Sequence, residues 1–166
     1  MTAAEVIALL GLTPLPLEGG YFKETYRSDR RVDSAIGNRT ECTAIYYLVT
    51  EKSFSLLHAV DQDEIFHFYL GHPVQMLQIV DGKPRRIIIG NDLSKGHSPQ
   101  VIVPRGIWQG TKLLSPEPGA WALLGCTVAP GFEYENFHIK SRSELRKLFP
   151  GLESEIDEFT QSFDDA

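Results

Sequence analysis

Between residues 20 and 139 apolar residues recur in short runs with a period near two, and turn-forming residues cut the runs apart. The stretches 20–27, 42–50, 54–60, 64–70, 73–80, 85–89, 100–104, 107–114, 120–128 and 132–139 are rich in Val, Ile, Tyr, Phe and Thr and read as strands. Gly71-His72-Pro73, Asp81-Gly82, Gly90-Asn91-Asp92, Ser115 to Gly119 and Pro130-Gly131 supply turns between them. Residues 28–41 are polar, hold three Arg, and read as a long loop that covers a sheet edge or rims a pocket. Many short strands with no helical stretch between them define an all-β sandwich or barrel. Helices bracket this region. Thr2 and Glu5 have capping-box spacing ahead of Val6, Ile7, Leu9 and Leu10, and Gly11 stops a helix over about 3–10. Ser141 and Glu144 repeat the box and open a helical tail over about 142–160, interrupted at Pro150-Gly151.

Composition supports one domain over residues 1–166, with the barrel at about 20–139. A chain of this size buries roughly two-thirds of its unfolded surface, and nine Phe, six Tyr and two Trp are ample for a core. The net charge of −6 lies wholly in residues 151–166, where Glu153, Glu155, Asp157, Glu158, Asp164 and Asp165 stand without Lys or Arg. A neutral body with an acidic, solvated tail argues against nucleic acid or an anionic membrane as partner. No apolar run approaches a membrane span, and the N-terminus lacks the pattern of a signal peptide, so a cytoplasmic protein is expected. Cys42 and Cys126 fit no zinc or redox spacing and read as buried free thiols.

Candidate chemistry concentrates in two patches. The first runs His58-x-Val60-x-x-x-Glu64 and reaches Gly71 after six more residues. The second is Pro104-x-Gly106-x-x-Gln109. Side chains alternate along a strand, so His58 and Val60 share one face, and Glu64, Phe66 and Phe68 share another. A carboxylate among apolar strand residues is costly to bury without a partner, which marks Glu64 as a pocket group. His58 is the side chain whose ordinary pKa suits proton transfer near neutrality. Gln109 would hydrogen-bond a ligand, a water or Glu64. His67 has the opposite parity and reads as structural unless a bulge turns it inward, and His72, His97 and His138 read as structural too. Between Glu18 and Ser28, Tyr21, Lys23 and Arg27 set cations beside aromatic rings, which suits an anionic or hydroxyl-rich small molecule near a pocket mouth. An amphipathic edge strand guarded by charge is the structural alternative there.

The two patches resemble the halves of the cupin signature, with Val60 and Gln109 standing where that signature has its second and third histidines. Glu18 to Arg27, Asp63 to Tyr69, Val103 to Gln109 and Thr127 to Phe132 follow in order, and the series resembles the small uncharacterised bacterial and fungal cupins grouped as a domain of unknown function. The resemblance spans about residues 8 to 150. It implies a double-stranded β-helix, the cupin jelly roll, and a homodimer. It also invites comparison with metal-free cupin epimerases of deoxysugar nucleotides that use a His base. The expected protein binds a small polar, sugar-like or carbonyl-containing molecule inside the barrel, as an isomerase, epimerase or lyase with His58 and Glu64 catalytic. Tyr21, Lys23, Arg27, Phe66, Phe68 and Gln109 are the expected substrate contacts. No cofactor is firmly implied. The alternatives are a metal-dependent, dioxygenase-like cupin with His58, Glu64 and Gln109 as a depleted divalent-metal ligand set, and a non-catalytic binding protein.

Overall fold

Side chains that alternate between two faces set how the strands stack. The computed structural model describes residues 1–161; Asp164 and Asp165 of the acidic tail lie outside the described residues. In chain order come α1 (Ala3–Leu10), β1 (Thr13–Pro14), β2 (Tyr21–Arg27), β3 (Arg31–Ser34), β4 (Gly37–Thr40), β5 (Thr43–Thr50), β6 (Ser55–Val60), β7 (Asp63–Gly71), β8 (Val74–Val80) and β9 (Lys83–Ile89). Then follow β10 (Gln100–Val103), β11 (Trp108–Leu113), β12 (Trp121–Ala129), β13 (Phe137–Ile139), α2 (Arg142–Leu148) and α3 (Glu153–Glu158). One six-stranded sheet has the order β1-β2-β5-β12-β7-β10, and a five-stranded sheet has the order β13-β6-β11-β8-β9. All their pairings are antiparallel, and the two inner faces close on each other as a jelly roll.

The main core lies between the sheets, where Val49, Phe66, Ala122 and Leu124 of one meet Val74, Met76, Ile89 and Leu113 of the other. Each of the larger side chains contributes about 1.5–3 kcal/mol when fully buried, so this layer dominates stability. The helices seal the outer faces. Val6 and Leu12, from α1 and just beyond it, pack on Leu48, Trp121 and Leu123 of the large sheet. Leu145 and Ile156, from α2 and α3, and Phe159 just beyond α3 pack on Leu57, Leu77 and Ile79 of the small one. Both expected capping boxes form, Thr2 with Glu5 and Ser141 with Glu144. No helix among the described residues is long and apolar enough to cross a membrane.

Two expectations are corrected. Residues 28–41 are not a loop but contain the hairpin β3–β4, in which Asp33 lies opposite Asn38 and accepts its amide at 2.7 Å. A polar two-stranded ribbon has no apolar alternation to announce it. The strand expected over 132–139 is real only at Phe137–Ile139. Upstream, the Gly131 N–H donates to the Thr40 carbonyl and the Phe132 N–H to Thr43 Oγ1, so the chain bends over the open end of the barrel. It makes a 3-10 turn at Tyr134–Asn136 before rejoining the sheet. Of the two free cysteines, Cys126 is buried and Cys42 only half-buried.

Candidate functional site

Two irregularities of strand pairing shape the site, and a third lies beyond it. On β6, His58 pairs with Gln109, but Ser55, three residues earlier, pairs with Thr111, two residues later. This slip brings Ser55 and His58, an odd number of residues apart, to the same side. On β2, Glu24 lies opposite Ile45 and Tyr26 opposite Ala44, so Thr25 is an extra residue. Beyond it the strand has changed parity, and Arg27 joins Phe22 and Glu24 on the inner face. On β7, Tyr69 is the extra residue, after Phe66 and Phe68. No irregularity precedes it, and His67 stays on the outer face, 3.3 Å from Thr127 Oγ1 and stacked on Tyr69.

His58, Gln109 and Glu64 meet across the barrel. His58 is 1 % exposed, Gln109 0 % and Glu64 5 %. His58 Nδ1 lies 2.7 Å from the Leu56 carbonyl, which only accepts, so Nδ1 carries the proton and Nε2 offers a lone pair. The Gln109 amide nitrogen donates to that lone pair at 3.0 Å and to Glu64 Oε2 at 3.3 Å. Both amide hydrogens are used, and Gln109 Oε1 is buried without a partner. Cys126 Sγ lies 3.8 Å from the other Glu64 oxygen. Burial pushes the Glu64 carboxyl up to about 7; His58 opposes the shift and the Glu18 carboxylate adds to it. Burial also pushes the Cys126 thiol well up, with Glu64 adding to it, which leaves it a neutral thiol rather than a nucleophile.

Glu18 is the residue that sequence reasoning missed. It sits in the turn before β2, where Gly19 and Gly20 both have positive φ, and the turn swings its side chain beneath β6. Its Oε1 accepts from Ser55 Oγ at 2.8 Å, and its Oε2 stands 4.0 Å from His58 Nε2. A clue was available in the two glycines that follow it, which permit such a turn.

These groups end a cavity of about 130 Å³. Glu18, Glu64 and Cys126 face it, as do the rings of Phe22, Tyr47, Phe66, Phe132, Tyr134 and Phe137. Arg27 lines the mouth, its Nε and Nη2 donating to Glu24 at 3.0 and 2.9 Å and its Nη1 to Glu133 at 3.0 Å. The structure thus brings His58, Glu64, Phe66, Gln109 and Arg27 together, with His58 and Gln109 behind Glu64 rather than on the cavity wall. It does not bring in Tyr21, Lys23 or Phe68. Tyr21 and Lys23 precede the parity change, so they point outward: Tyr21 packs with the α1 cluster, and Lys23 Nζ donates to the Leu10 carbonyl at the end of α1. Phe68 faces inward but packs in the main core, beyond the cavity.

The donor set does not fit a metal ion. Gln109 turns its amide nitrogen, not its oxygen, toward His58 and Glu64, and that nitrogen already occupies the imidazole lone pair. Val60 supplies no donor. Among the described residues no three His, Cys, Asp or Glu side chains are grouped to hold a metal.

An antiparallel jelly roll with a polar cluster projecting into one end of its interior defines a cupin-type barrel. The profile described as Cupin superfamily (DUF985) matches residues 4–140, and the chain belongs to that family. An uncharacterised protein of Saccharomyces cerevisiae, YML079W, is 32 % identical over 145 residues, covering 79 % of this chain and 72 % of the yeast protein. The structure of a hypothetical protein from Leishmania major superposes with a TM-score of 0.91 at 32 % identity, covering 98 % of this chain and all of that one. Protein SO0799 from Shewanella oneidensis superposes with a TM-score of 0.88 at 27 % identity, covering 97 % and 98 %.

Proposed function

We propose that the barrel interior binds a small carbonyl- or hydroxyl-bearing molecule and moves a proton at a carbon beside the carbonyl, as an isomerase or epimerase does. The supporting observation is Glu64, a buried carboxyl on the cavity wall whose proton is held up to about 7. A group poised there is a carboxylate often enough to take a proton and an acid often enough to return it. Removal from one carbon and return to the same face of it or its neighbour by one group balances without any co-reactant, as in a 1,2-isomerisation; inverting the carbon would need a second acid on the opposite face. His58 is a positioning residue in this reading. Its lone pair is taken by Gln109, and through that amide it orients the Glu64 oxygens.

The test is deuterium wash-in. Small α-hydroxy and α-amino carbonyl compounds are incubated with the protein in D2O, and loss of the C–H signal is followed by NMR. Wild-type protein should exchange at least one of them, and Glu64→Gln should slow that exchange by about 10²-fold or more. His58→Ala should shift the pH profile of the exchange. Exchange that survives Glu64→Gln unchanged disposes of the reading. A ligand that binds in the barrel and never exchanges makes the protein a binding module instead.

A further inference from the structure

Four carboxylates face the cavity, Glu18, Glu24, Glu64 and Glu133, against one guanidinium, Arg27, among the described residues. Arg27 is already committed. Besides its bonds to Glu24 and Glu133, its Nη2 donates to the Phe132 carbonyl at 3.2 Å, so four of its five N–H groups are engaged. Lys23, the other cation in that stretch of sequence, lies on the far face of its strand. Deeper in, Glu18 Oε1 accepts from Ser55 Oγ at 2.8 Å, and its Oε2 stands 4.0 Å from His58 Nε2. Six aromatic rings line the wall between mouth and floor, among Leu15, Ile45, Val60 and Val128, and an aromatic face attracts cations. Glu24 and Glu133 are partly exposed and paired with Arg27, whereas Glu18 and Glu64, enclosed by low-dielectric walls, focus a negative potential into the space beside them. An anionic ligand would enter that field with no free donor fork to meet it.

We propose that this cavity selects an organic cation, an amine or quaternary ammonium on a compact apolar body, and excludes carboxylate- and phosphate-bearing molecules. The proposal rests on the reading of the barrel interior as a binding site. The ammonium sits against aromatic faces and offsets the charge of Glu18, while Glu64 stays available to the neighbouring carbon. This reverses the expectation that Lys23 and Arg27 hold an anion.

Three molecules of nearly the same shape test it: choline, 3,3-dimethylbutan-1-ol and 3,3-dimethylbutanoate. Binding to the full chain is measured by calorimetry at pH 7.5 and at two salt concentrations. Choline should bind at least about tenfold more tightly than the neutral alcohol, more weakly at high salt, and the butanoate should not bind. Glu18→Gln should weaken choline about tenfold and leave the alcohol within about twofold, with circular dichroism confirming the fold. Equal affinity for cation and alcohol, preference for the anion, or binding of none of the three overturns the proposal. The two readings fail separately. Deuterium exchange on neutral carbonyl compounds without cation preference sinks this one alone. Glu18-dependent choline binding without any exchange sinks proton transfer alone.

Discussion

Replacing Glu64 by Gln should stabilise the protein above neutrality while removing its acid–base group. Burial raises the Glu64 carboxyl from 4.5 to about 7. Between those values the folded state holds a proton that the unfolded state has released. Stability therefore falls as pH rises through this window, and the full penalty persists above about 7. At 1.36 kcal/mol per tenfold change in proton affinity, the cost of the ionised carboxylate is about 3 kcal/mol at pH 8 and near zero at pH 4.5. The isosteric amide removes it. Its oxygen can replace Oε2 as acceptor for Gln109, so the polar network is kept.

Urea melts of both proteins from pH 4.5 to 8.5 at fixed ionic strength are the assay, with Trp121, which is largely buried, as fluorescent reporter. The variant should match wild type at the acid end and exceed it by up to about 3 kcal/mol at pH 8. That corresponds to roughly 6–12 °C in melting temperature for a chain of this length. A difference that does not change with pH would refute the argument that burial sets the Glu64 proton affinity. So would a variant less stable than wild type at pH 8.

Gln109→Leu should cost about 1–3 kcal/mol, because it leaves His58 Nε2 and Glu64 Oε2 buried without their shared donor. The same change should raise the pH midpoint of any Glu64-dependent exchange, read in the deuterium assay. Phe159→Ala should cost about 3–5 kcal/mol by emptying the junction of α2 and α3 with the small sheet. Hydrogen exchange should then rise in 142–158 while ligand affinity is unchanged. Gly71→Ala should cost about 2 kcal/mol or more, since Gly71 has φ +94° and a Cβ would lie 2.3 Å from the Trp121 carbonyl oxygen. A melting temperature within 2–4 °C of wild type, the shift for about 1 kcal/mol, would contradict it.

Period-two alternation located the strands of both sheets from β2 onward, β1 excepted, because each packs one face on an apolar layer. Where that pressure is missing, alternation is silent. Hairpin β3–β4 is held by Arg, Asp and Asn pairs, and residues 132–136 leave the sheet because the barrel end needs a cover. Glycine spacing was legible for a physical reason. Gly71 closes the first patch where the chain must take positive φ against the backbone of β12.

Side-chain direction was legible only up to the first extra residue. Parity put Glu64 on the cavity wall with Phe66, because no slip separates them, whereas His58 stands behind Glu64 rather than on the wall. It failed on β2, where the extra residue Thr25 puts Arg27 on the face of Phe22 and Glu24 and leaves Lys23 on the other. Nothing in a strand's composition announces one inserted residue, and a single insertion separates two cations that simple alternation sets on one face. The substitutions at Val60 and Gln109 were legible as losses of imidazole, but their joint consequence was not. Val60 adds apolar wall to the cavity, and Gln109 closes the space between His58 and Glu64 with an amide that donates to both. The two changes convert a position suited to holding an ion into one that fixes a tautomer and steadies a buried carboxylate. Burial raises the proton affinity of that carboxylate, and Glu18 adds repulsion from a turn forty positions before His58, a placement that sheet closure creates and local spacing cannot show.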